Sequence, residues 1–179
     1  MKILAISGSA RRLSTNTTLL RALEEIAPPD IALSTYADLG GLPVFSPDLE
    51  DLPLPDSVVH FKRCIEASDG SLISSPEYAR GVPGGLKNAS DWLVSGDLVI
   101  AKPIALVHAS HRGEDMLASL RLVLSTISSR FNEELFLRFP FMKMESEAIA
   151  DAVRQPVNRG PAEAFLQEFA RDCQRPWGD

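Results

Sequence analysis

The sequence has little of what holds small secreted domains and structural metal sites together. It contains two cysteines, Cys64 and Cys173, with no CxxC pair and no cluster of Cys and His, so neither a disulfide framework nor a zinc site is predicted. We therefore expect a reducing compartment, the cytoplasm. The three histidines, His60, His108 and His111, lack metal-ligand spacing, because the first is predicted in a helix and the second in a strand.

Long apolar runs and an excess of basic charge are also missing. No run approaches the ~20 apolar residues that a membrane span requires. Strand-like residues begin at Lys2 with no basic leader before them, so we expect neither membrane insertion nor secretion. The 18 Lys and Arg are outnumbered by 24 Asp and Glu, which gives a formal net charge of −6. This field disfavours binding to nucleic acid or to an anionic membrane.

The composition is that of a folded globular protein. With 179 residues, 45% hydrophobic and 23% charged, the chain is long enough to bury ~70% of its unfolded surface. We find no repeat and no low-complexity linker, and Pro and Gly separate periodic segments along the whole length. The simplest interpretation is one domain over residues 1–179.

Apolar, β-branched segments alternate with segments of helical period. We predict strands over Lys2–Ile6, Ile31–Tyr36, Gly70–Ser75, Pro103–Ala109 and Glu134–Phe139. We predict helices over Asn16–Ala27, Asp56–Ala67 and Gly84–Val94, along the stripe from Met116 to Ile127, and over Pro161–Cys173 with Pro161 in the first turn. Alternating strands and helices indicate a doubly wound α/β fold with a parallel sheet, whose ligands bind beyond the carboxyl ends of the strands.

The loop after the first predicted strand is rich in groups that bind anions. Between Ser7 and Thr18 it contains about six hydroxyls, the guanidiniums of Arg11 and Arg12, and one amide. Backbone N–H groups at the start of a helix carry partial positive charge, and hydroxyls and guanidiniums donate to phosphate oxygens. The alternative is that Ser14 or Thr15 only caps the helix and the remainder is a polar surface turn.

Two well-known phosphate loops are excluded at this position. The loop has neither the GxxxxGK[ST] pattern of a Walker loop nor the three glycines of a GxGxxG dinucleotide turn. ATP hydrolysis and a Rossmann-type NAD site both lose support. A second long loop, Gly40–Pro55, carries four prolines, and loops of that length in a compact domain are usually functional.

The loop after the third predicted strand is the most specific segment in the chain. It reads SSPEYARGVPGGLKNASDW over residues 74–92. Prolines stiffen it, and Gly81, Gly84 and Gly85 let its backbone approach a flat ligand closely. The segment resembles the PEYN-x-S-x-PGxLKNAxDW motif of the NADPH-dependent FMN reductase family, and Gly8, Ser9, Arg11 and Asn16 align with the family's GSxR-type first loop.

The resemblance implies a flavodoxin-like three-layer sandwich with a five-stranded parallel sheet in the order 2-1-3-4-5. It further implies FMN as cofactor, NADPH or NADH as electron donor, and a homodimer or homotetramer. The residues expected around the FMN phosphate are Ser9, Arg11, Ser14, Asn16 and Thr17. Those expected beside the isoalloxazine ring are Pro76, Glu77, Tyr78, Ala79, Arg80 and Gly81. For Lys87, Asn88 and Asp91 we prefer a structural role, in a helix that holds the loop in place.

The chain departs from the family pattern at Ala79, Arg80 and Gly81, where relatives usually have an Asn and then a Ser. An amide is therefore missing near the flavin. Arg80 is expected either to bind an acidic substrate or the 2′-phosphate of NADPH, or to lie solvated on the surface.

The loop after the fourth strand, from Ala109 to Glu114, is expected to face the pyrimidine side of the flavin. Ser110, Arg112 and Gly113 are candidates for stabilising the negative charge that accumulates there on reduction. Histidine is a common acid-base group near neutral pH, but no nucleophile and acid can be identified around His111.

The expected activity is hydride transfer from NADPH to FMN and onward to a small acceptor such as a quinone, azo compound, metal oxyanion or free flavin. No catalytic side chain is required, because the cofactor carries the chemistry. One alternative is a flavodoxin-like electron carrier that binds FMN without oxidising NADPH. Another is a flavin-free hydrolase of the same fold, for which Glu77 and Asp48 do not supply a recognisable carboxylate pair.

Overall fold

The computed structural model describes residues 1–11, 14–50 and 52–176. Five strands and six α-helices alternate along most of the chain. The strands are Lys2–Ser7 (β1), Ala32–Tyr36 (β2), Gly70–Ser74 (β3), Ile104–His108 (β4) and Phe131–Arg138 (β5). The helices are Thr15–Ile26 (α1), Asp56–Glu66 (α2), Gly84–Val94 (α3), Glu114–Ile127 (α4), Ser146–Arg154 (α5) and Pro156–Gln174 (α6).

The strands form one parallel sheet in the order β2-β1-β3-β4-β5. The winding reverses at β1: the chain passes from β1 to β2 on one side and then crosses back to β3 on the other side of β1. The predicted flavodoxin-like order is confirmed.

The sheet is covered on both faces. Along β1, Ile3 and Ala5 belong to one core cluster, with residues of α1, α5 and α6. Leu4 and Ile6, which alternate with them, belong to a second cluster with α2, α3 and α4. Neighbouring residues of a strand point to opposite faces, so a strand that is apolar at consecutive positions lies between two helical layers.

The end of the chain differs from the predictions. α5 was not predicted, because only Ile149 and Val153 mark its buried face. The last helix begins at Pro156 and not near Pro161, so Pro161 lies inside the helix and not in its first turn. A proline there removes the hydrogen bond to the carbonyl of Val157, and Val157 is 77% exposed, so water is able to satisfy that carbonyl.

β5 is also longer than predicted, because it starts at Phe131 and not at Glu134. Its register against β4 shifts between Ile104 and Leu106, which pair with Phe131 and Phe136 respectively. An irregularity of this kind disrupts the strict alternation by which a strand is identified in a sequence.

Candidate cofactor site

A cleft of about 260 Å³ opens at the carboxyl edge of the sheet. It lies where the winding reverses between β1 and β3, the position at which doubly wound sheets bind their ligands. Its lining comes from the start of α1 and from the segments that follow β3, β4 and β5. The lining residues are Thr15, Asn16, Pro76, Glu77, His108, Ala109, Ser110, Arg112, Gly113 and Met142.

The turn after β1 is held by its own hydroxyls. The hydroxyls of Ser7 and Thr17 lie 2.7 Å apart and share a buried hydrogen bond. The backbone N–H of Arg11 donates to Ser9 Oγ over 3.2 Å. Ser9 and Thr17, two of the predicted phosphate ligands, are almost fully buried and shape the turn through these hydrogen bonds, while Arg11 is exposed. Arg12 lies outside the described residues.

Gly8 lets this turn pass close to the neighbouring loop. A Cβ at this position would lie 2.7 Å from Ser75 Oγ and 2.8 Å from a methyl carbon of Leu86. The Gly8 N–H donates to the carbonyl of Ser74 over 2.8 Å. The loops after β1 and β3 are therefore in direct contact, as a shared ligand site requires.

The first turn of α1 leaves donors available at the cleft. Ser14 occupies the N-cap position with extended backbone, but its side chain makes no capping hydrogen bond, so the capping alternative is wrong for Ser14. The first N–H groups of a helix have no partner within it. Asn16 adds an amide: its Oδ1 accepts a hydrogen bond from Ser74 Oγ over 2.9 Å, which leaves the NH₂ group, a pure donor.

Residues 78–81 form a tight hairpin turn beside the cleft. The backbones of Tyr78 and Gly81 exchange hydrogen bonds of 3.2 and 3.0 Å. The two central residues, Ala79 and Arg80, have φ values of +50° and +61°, the pattern of a type I′ turn, which favours Asn and Gly. The four residues lie outside the cleft lining, and the Tyr78 side chain is 52% exposed.

Arg80 lies on the surface, where it pairs with a carboxylate of α4. Its Nε lies 2.5 Å from Asp115 Oδ2, with the Arg80 side chain 83% exposed. The guanidinium holds the pKa of Asp115 below its usual value, through a hydrogen bond and its charge. The contact joins the loop after β3 to the first turn of α4.

Glu77 has a structural partner as well as a place in the cleft. Its Oε2 accepts a hydrogen bond of 3.1 Å from the backbone N–H of Met116, in the first turn of α4. A carboxylate at a helix N-terminus satisfies a free N–H and interacts favourably with the helix dipole. Glu77 therefore fixes the loop after β3 against α4, on the edge of the cleft.

The loop after β4 is fixed by two side chains that the sequence did not single out. His108 Nε2 lies 2.6 Å from the carbonyl oxygen of Arg112. Arg138, at the end of β5, donates to the carbonyls of Ser110 and Arg112 over 2.7 and 3.1 Å. Gly113 has a φ of +105°, and a Cβ there would lie 2.9 Å from His108 Nε2.

His108 is almost fully buried, with 2% exposure. This burial lowers the pKa of its imidazole below the usual value and so favours the neutral form. Since the Arg112 carbonyl only accepts, Nε2 carries the proton. His111, by contrast, is exposed.

The segment PGGLKNASDW acts mainly as a scaffold. Asn88 accepts a hydrogen bond from the Phe45 N–H over 2.8 Å and donates to the Pro43 carbonyl over 2.9 Å. Trp92 Nε1 donates to the same carbonyl over 2.8 Å, and Lys87 pairs with Asp91 along the helix. Asn88 and Trp92 thus hold the proline-rich loop, which is the structural role preferred for Asn88, whereas Lys87 and Asp91 contact each other within the helix.

The structure thus brings six of the predicted residues into one cleft. These are Asn16, Pro76, Glu77, Ser110, Arg112 and Gly113. Ser9, Arg11, Ser14 and Thr17 lie in the adjoining turn, and residues 78–81 lie beside the rim. Sequence reasoning missed Thr15, His108, Ala109 and Met142 as lining residues; the first three adjoin predicted loops, whereas Met142 had no motif to indicate it.

No group of three or more Cys, His, Asp or Glu side chains within residues 1–11, 14–50 and 52–176 is placed to hold a metal ion. No helix in the described part of the chain is long and apolar enough to span a membrane.

Proteins of known structure share this fold over nearly the whole chain. FerB, a flavoenzyme NAD(P)H:(acceptor) oxidoreductase from Paracoccus denitrificans, superimposes with a TM-score of 0.75 at 25% identity, over 96% of this chain and 98% of that one. An NADH:FMN oxidoreductase solved in its apo form superimposes with a TM-score of 0.61 at 20% identity, over 94% of this chain and 87% of that one. The second likeness supports the fold alone.

Sequence comparison identifies the family. A 2-hydroxy-1,4-benzoquinone reductase from Burkholderia sp is 46% identical over 92 residues, which are 51% of this chain and 49% of that protein. A quinone reductase of Escherichia coli K12 is 32% identical over 116 residues, 63% of this chain and 61% of that protein. The matches span about half to three-fifths of these relatives. The profile described as NADPH-dependent FMN reductase matches residues 1–133, and the chain therefore belongs to the NADPH-dependent FMN reductase family.

Proposed function

We propose that this chain is an FMN-dependent NAD(P)H oxidoreductase that reduces a small acceptor of the quinone type. The observation that carries the proposal is one cleft at the β1/β3 switch point, with helix donors on one side and the loops after β3 and β4 on the other. Membership of the family and the quinone reductase names of several relatives support it.

The first turn of α1 suits the phosphate of FMN. Thr15 and Asn16 line the cleft, and the N–H groups at the start of the helix have no intrahelical partner. The Asn16 NH₂ group adds a side-chain donor, since its oxygen is taken by Ser74. The exposed guanidinium of Arg11 supplies positive charge near the turn. Backbone and side-chain donors of this kind bind phosphate without the Walker pattern.

The other wall suits a flat, largely apolar ring system. Pro76 and Ala109 offer small apolar surfaces, and Gly113 has no side chain. The donor groups there are those of Ser110 and Arg112, which we predicted beside the pyrimidine end of the flavin. The Arg112 backbone N–H already donates to Ser110 Oγ over 3.0 Å. Arg112 would therefore bind a ligand through its guanidinium and not through its backbone.

FMN held in this cleft would supply two-electron redox chemistry, for which the overall balance is that NAD(P)H, a proton and a quinone give NAD(P)⁺ and a hydroquinone. The protein binds and orients the reactants. Glu77 is engaged by the Met116 N–H and His108 by the Arg112 carbonyl. Both therefore fix the walls of the cleft, and neither is needed to move a proton.

The assembly and compartment are further parts of this proposal. Val44, in the proline-rich loop, is 82% exposed, and Tyr78 is 52% exposed. Exposed apolar side chains support burial against a second copy, so we propose a homodimer or homotetramer. Cys64 and Cys173 are free thiols, which supports a reducing compartment such as the cytoplasm.

The test is anaerobic stopped-flow spectroscopy of the FMN-loaded protein. Mixing with NADPH is expected to bleach the oxidised flavin band, and a quinone in a second mixing step is expected to restore it. A flavin that binds but stays oxidised with both NADPH and NADH would favour the electron-carrier alternative. A protein that takes up no FMN would overturn the proposal.

A further inference from the structure

One lining residue of the cleft comes from a segment that neither the motif nor the family match covers. Met142 lines the cleft and follows β5, whereas the family profile ends at residue 133. The segment between β5 and α5 therefore contributes a side chain to the same cleft as Thr15 and Asn16, at the start of α1.

This segment is anchored at both ends. The rings of Phe139 and Phe141 stack with centroids 4.8 Å apart and planes 4° from parallel, and both side chains are buried in the core. At the other end, Thr18 Oγ1 donates a hydrogen bond of 3.2 Å to Ser146 Oγ, which joins α5 to α1. Met142 thus lies on a short stretch between two fixed points.

The stretch itself is a strained turn. The Met144 N–H bonds to the Phe141 carbonyl over 3.1 Å, so Met142 and Lys143 are its two central residues. Lys143 has a φ of +68°, in the left-handed region that a type II turn normally fills with glycine. Such conformations persist only where the surroundings impose them, and they are common at ligand-binding sites.

The Met142 side chain is not part of the described hydrophobic core. Among the described residues it belongs to neither core cluster, although it is half-buried. Met144, two residues later and also half-buried, does pack against the core beneath α1, α5 and α6. Of these two similar side chains, one serves the core and the other faces the cleft.

We propose that Met142 is a flavin-binding residue of this chain. Its thioether packs against the apolar surface of the bound flavin nucleotide, a contact in which methionine is favoured because it is flexible and its sulfur attracts aromatic rings. This inference rests on the proposed function. The contact is apolar, so it stabilises FMN and riboflavin alike, unlike the donors at the start of α1, which act on the phosphate.

The test is a titration of the apoprotein with FMN and with riboflavin, followed by quenching of flavin fluorescence. Met142→Ala is expected to raise the Kd of both ligands by about tenfold, with an unchanged urea midpoint. Met142→Leu, which keeps the apolar bulk, is expected to bind FMN within about twofold of the wild type. Met144→Ala is the matched control: it lowers the urea midpoint and leaves the Kd unchanged.

Each other outcome has a definite meaning. Wild-type affinity in Met142→Ala overturns the inference and leaves the proposed function intact. A weaker affinity that accompanies a lower urea midpoint, and that Met142→Leu does not restore, assigns Met142 a structural role and also overturns it. Failure of the wild-type protein to bind FMN overturns the proposed function and the inference together.

Discussion

The hydroxyl of Ser74 donates a 2.9 Å hydrogen bond to Oδ1 of Asn16, although the two residues are 58 positions apart. Ser74 ends β3 and Asn16 lies in the first turn of α1, so the bond joins the two elements on either side of the winding reversal. It also orients the amide, because an oxygen that accepts from Ser74 leaves only the NH₂ group for a ligand.

Asn16→Asp tests that orientation. The carboxylate still accepts from Ser74 and suits the start of a helix, so stability is expected to be retained. A negative charge replaces the donor, and FMN affinity is expected to fall by at least about tenfold. Riboflavin, which lacks the phosphate, is expected to change by less than about threefold. Equal losses for the two flavins in a fluorescence titration would show that Asn16 does not act on the phosphate.

Glu77 is expected to stabilise the fold through α4. Glu77→Ala removes the acceptor for the Met116 N–H and is expected to lower the free energy of unfolding by about 1–2 kcal/mol. Glu77→Gln keeps an acceptor but loses the charge beside the helix N-terminus, and about 0.3–1 kcal/mol is expected to be lost. Urea denaturation measures both. Glu134→Gln, at an exposed position of β5, is the control and is expected to be close to neutral.

His108 is expected to make the protein less stable in acid. Burial lowers its pKa below the ordinary 6.5, so the unfolded chain takes up a proton at a pH where the folded protein does not. The stability that the neutral imidazole contributes is therefore fully present above the pKa of the unfolded chain. It is lost as the pH falls from that value towards the lower pKa of the folded protein. Arg138, nearby, opposes protonation, while Glu114 and the Arg112 carbonyl favour it.

The measurement is urea denaturation of the wild type and His108→Gln between about pH 7 and about pH 5. Glutamine is able to donate to the Arg112 carbonyl but does not titrate. The wild type is expected to lose more stability across this range than the variant. Parallel curves would mean that His108 is as easily protonated in the folded protein as in the unfolded chain.

The backbone at Ala79 is expected to be strained, and a glycine at this position is expected to relieve the strain. Its φ of +50° disfavours a side chain with a Cβ, and the residue is exposed. Ala79→Gly is expected to raise stability by about 1 kcal/mol, or the Tm by about 2–4 °C. In Ala118→Gly, on the exposed face of α4, the same substitution is expected to lower stability by about 1 kcal/mol. Similar shifts in both variants would argue against the left-handed turn.

Local patterns were sufficient for most of the fold. The strands buried on both faces, such as β1 and β4, are apolar at consecutive positions, and the helices α1 and α4 carry apolar stripes of regular period. These signals depend on neighbours in the chain, so they can be identified without tertiary contacts. α5 was missed because two buried side chains, Ile149 and Val153, are too few to define a period. β5 was shortened because its register shift interrupts the alternation.

The sequence by itself determined the doubly wound fold, the family, and the loops that meet at the cleft, because motifs and periodicity lie within short stretches of chain. Only the tertiary structure decided which of those loop residues line the cleft. Thr17 shares a hydrogen bond with Ser7, and Glu77 accepts one from the Met116 N–H. Ser9 accepts a hydrogen bond within its own turn. Met142 entered the lining from beyond β5. Such assignments depend on which hydrogen-bond partners and cavities the folded chain brings together from distant positions, and no local pattern records them.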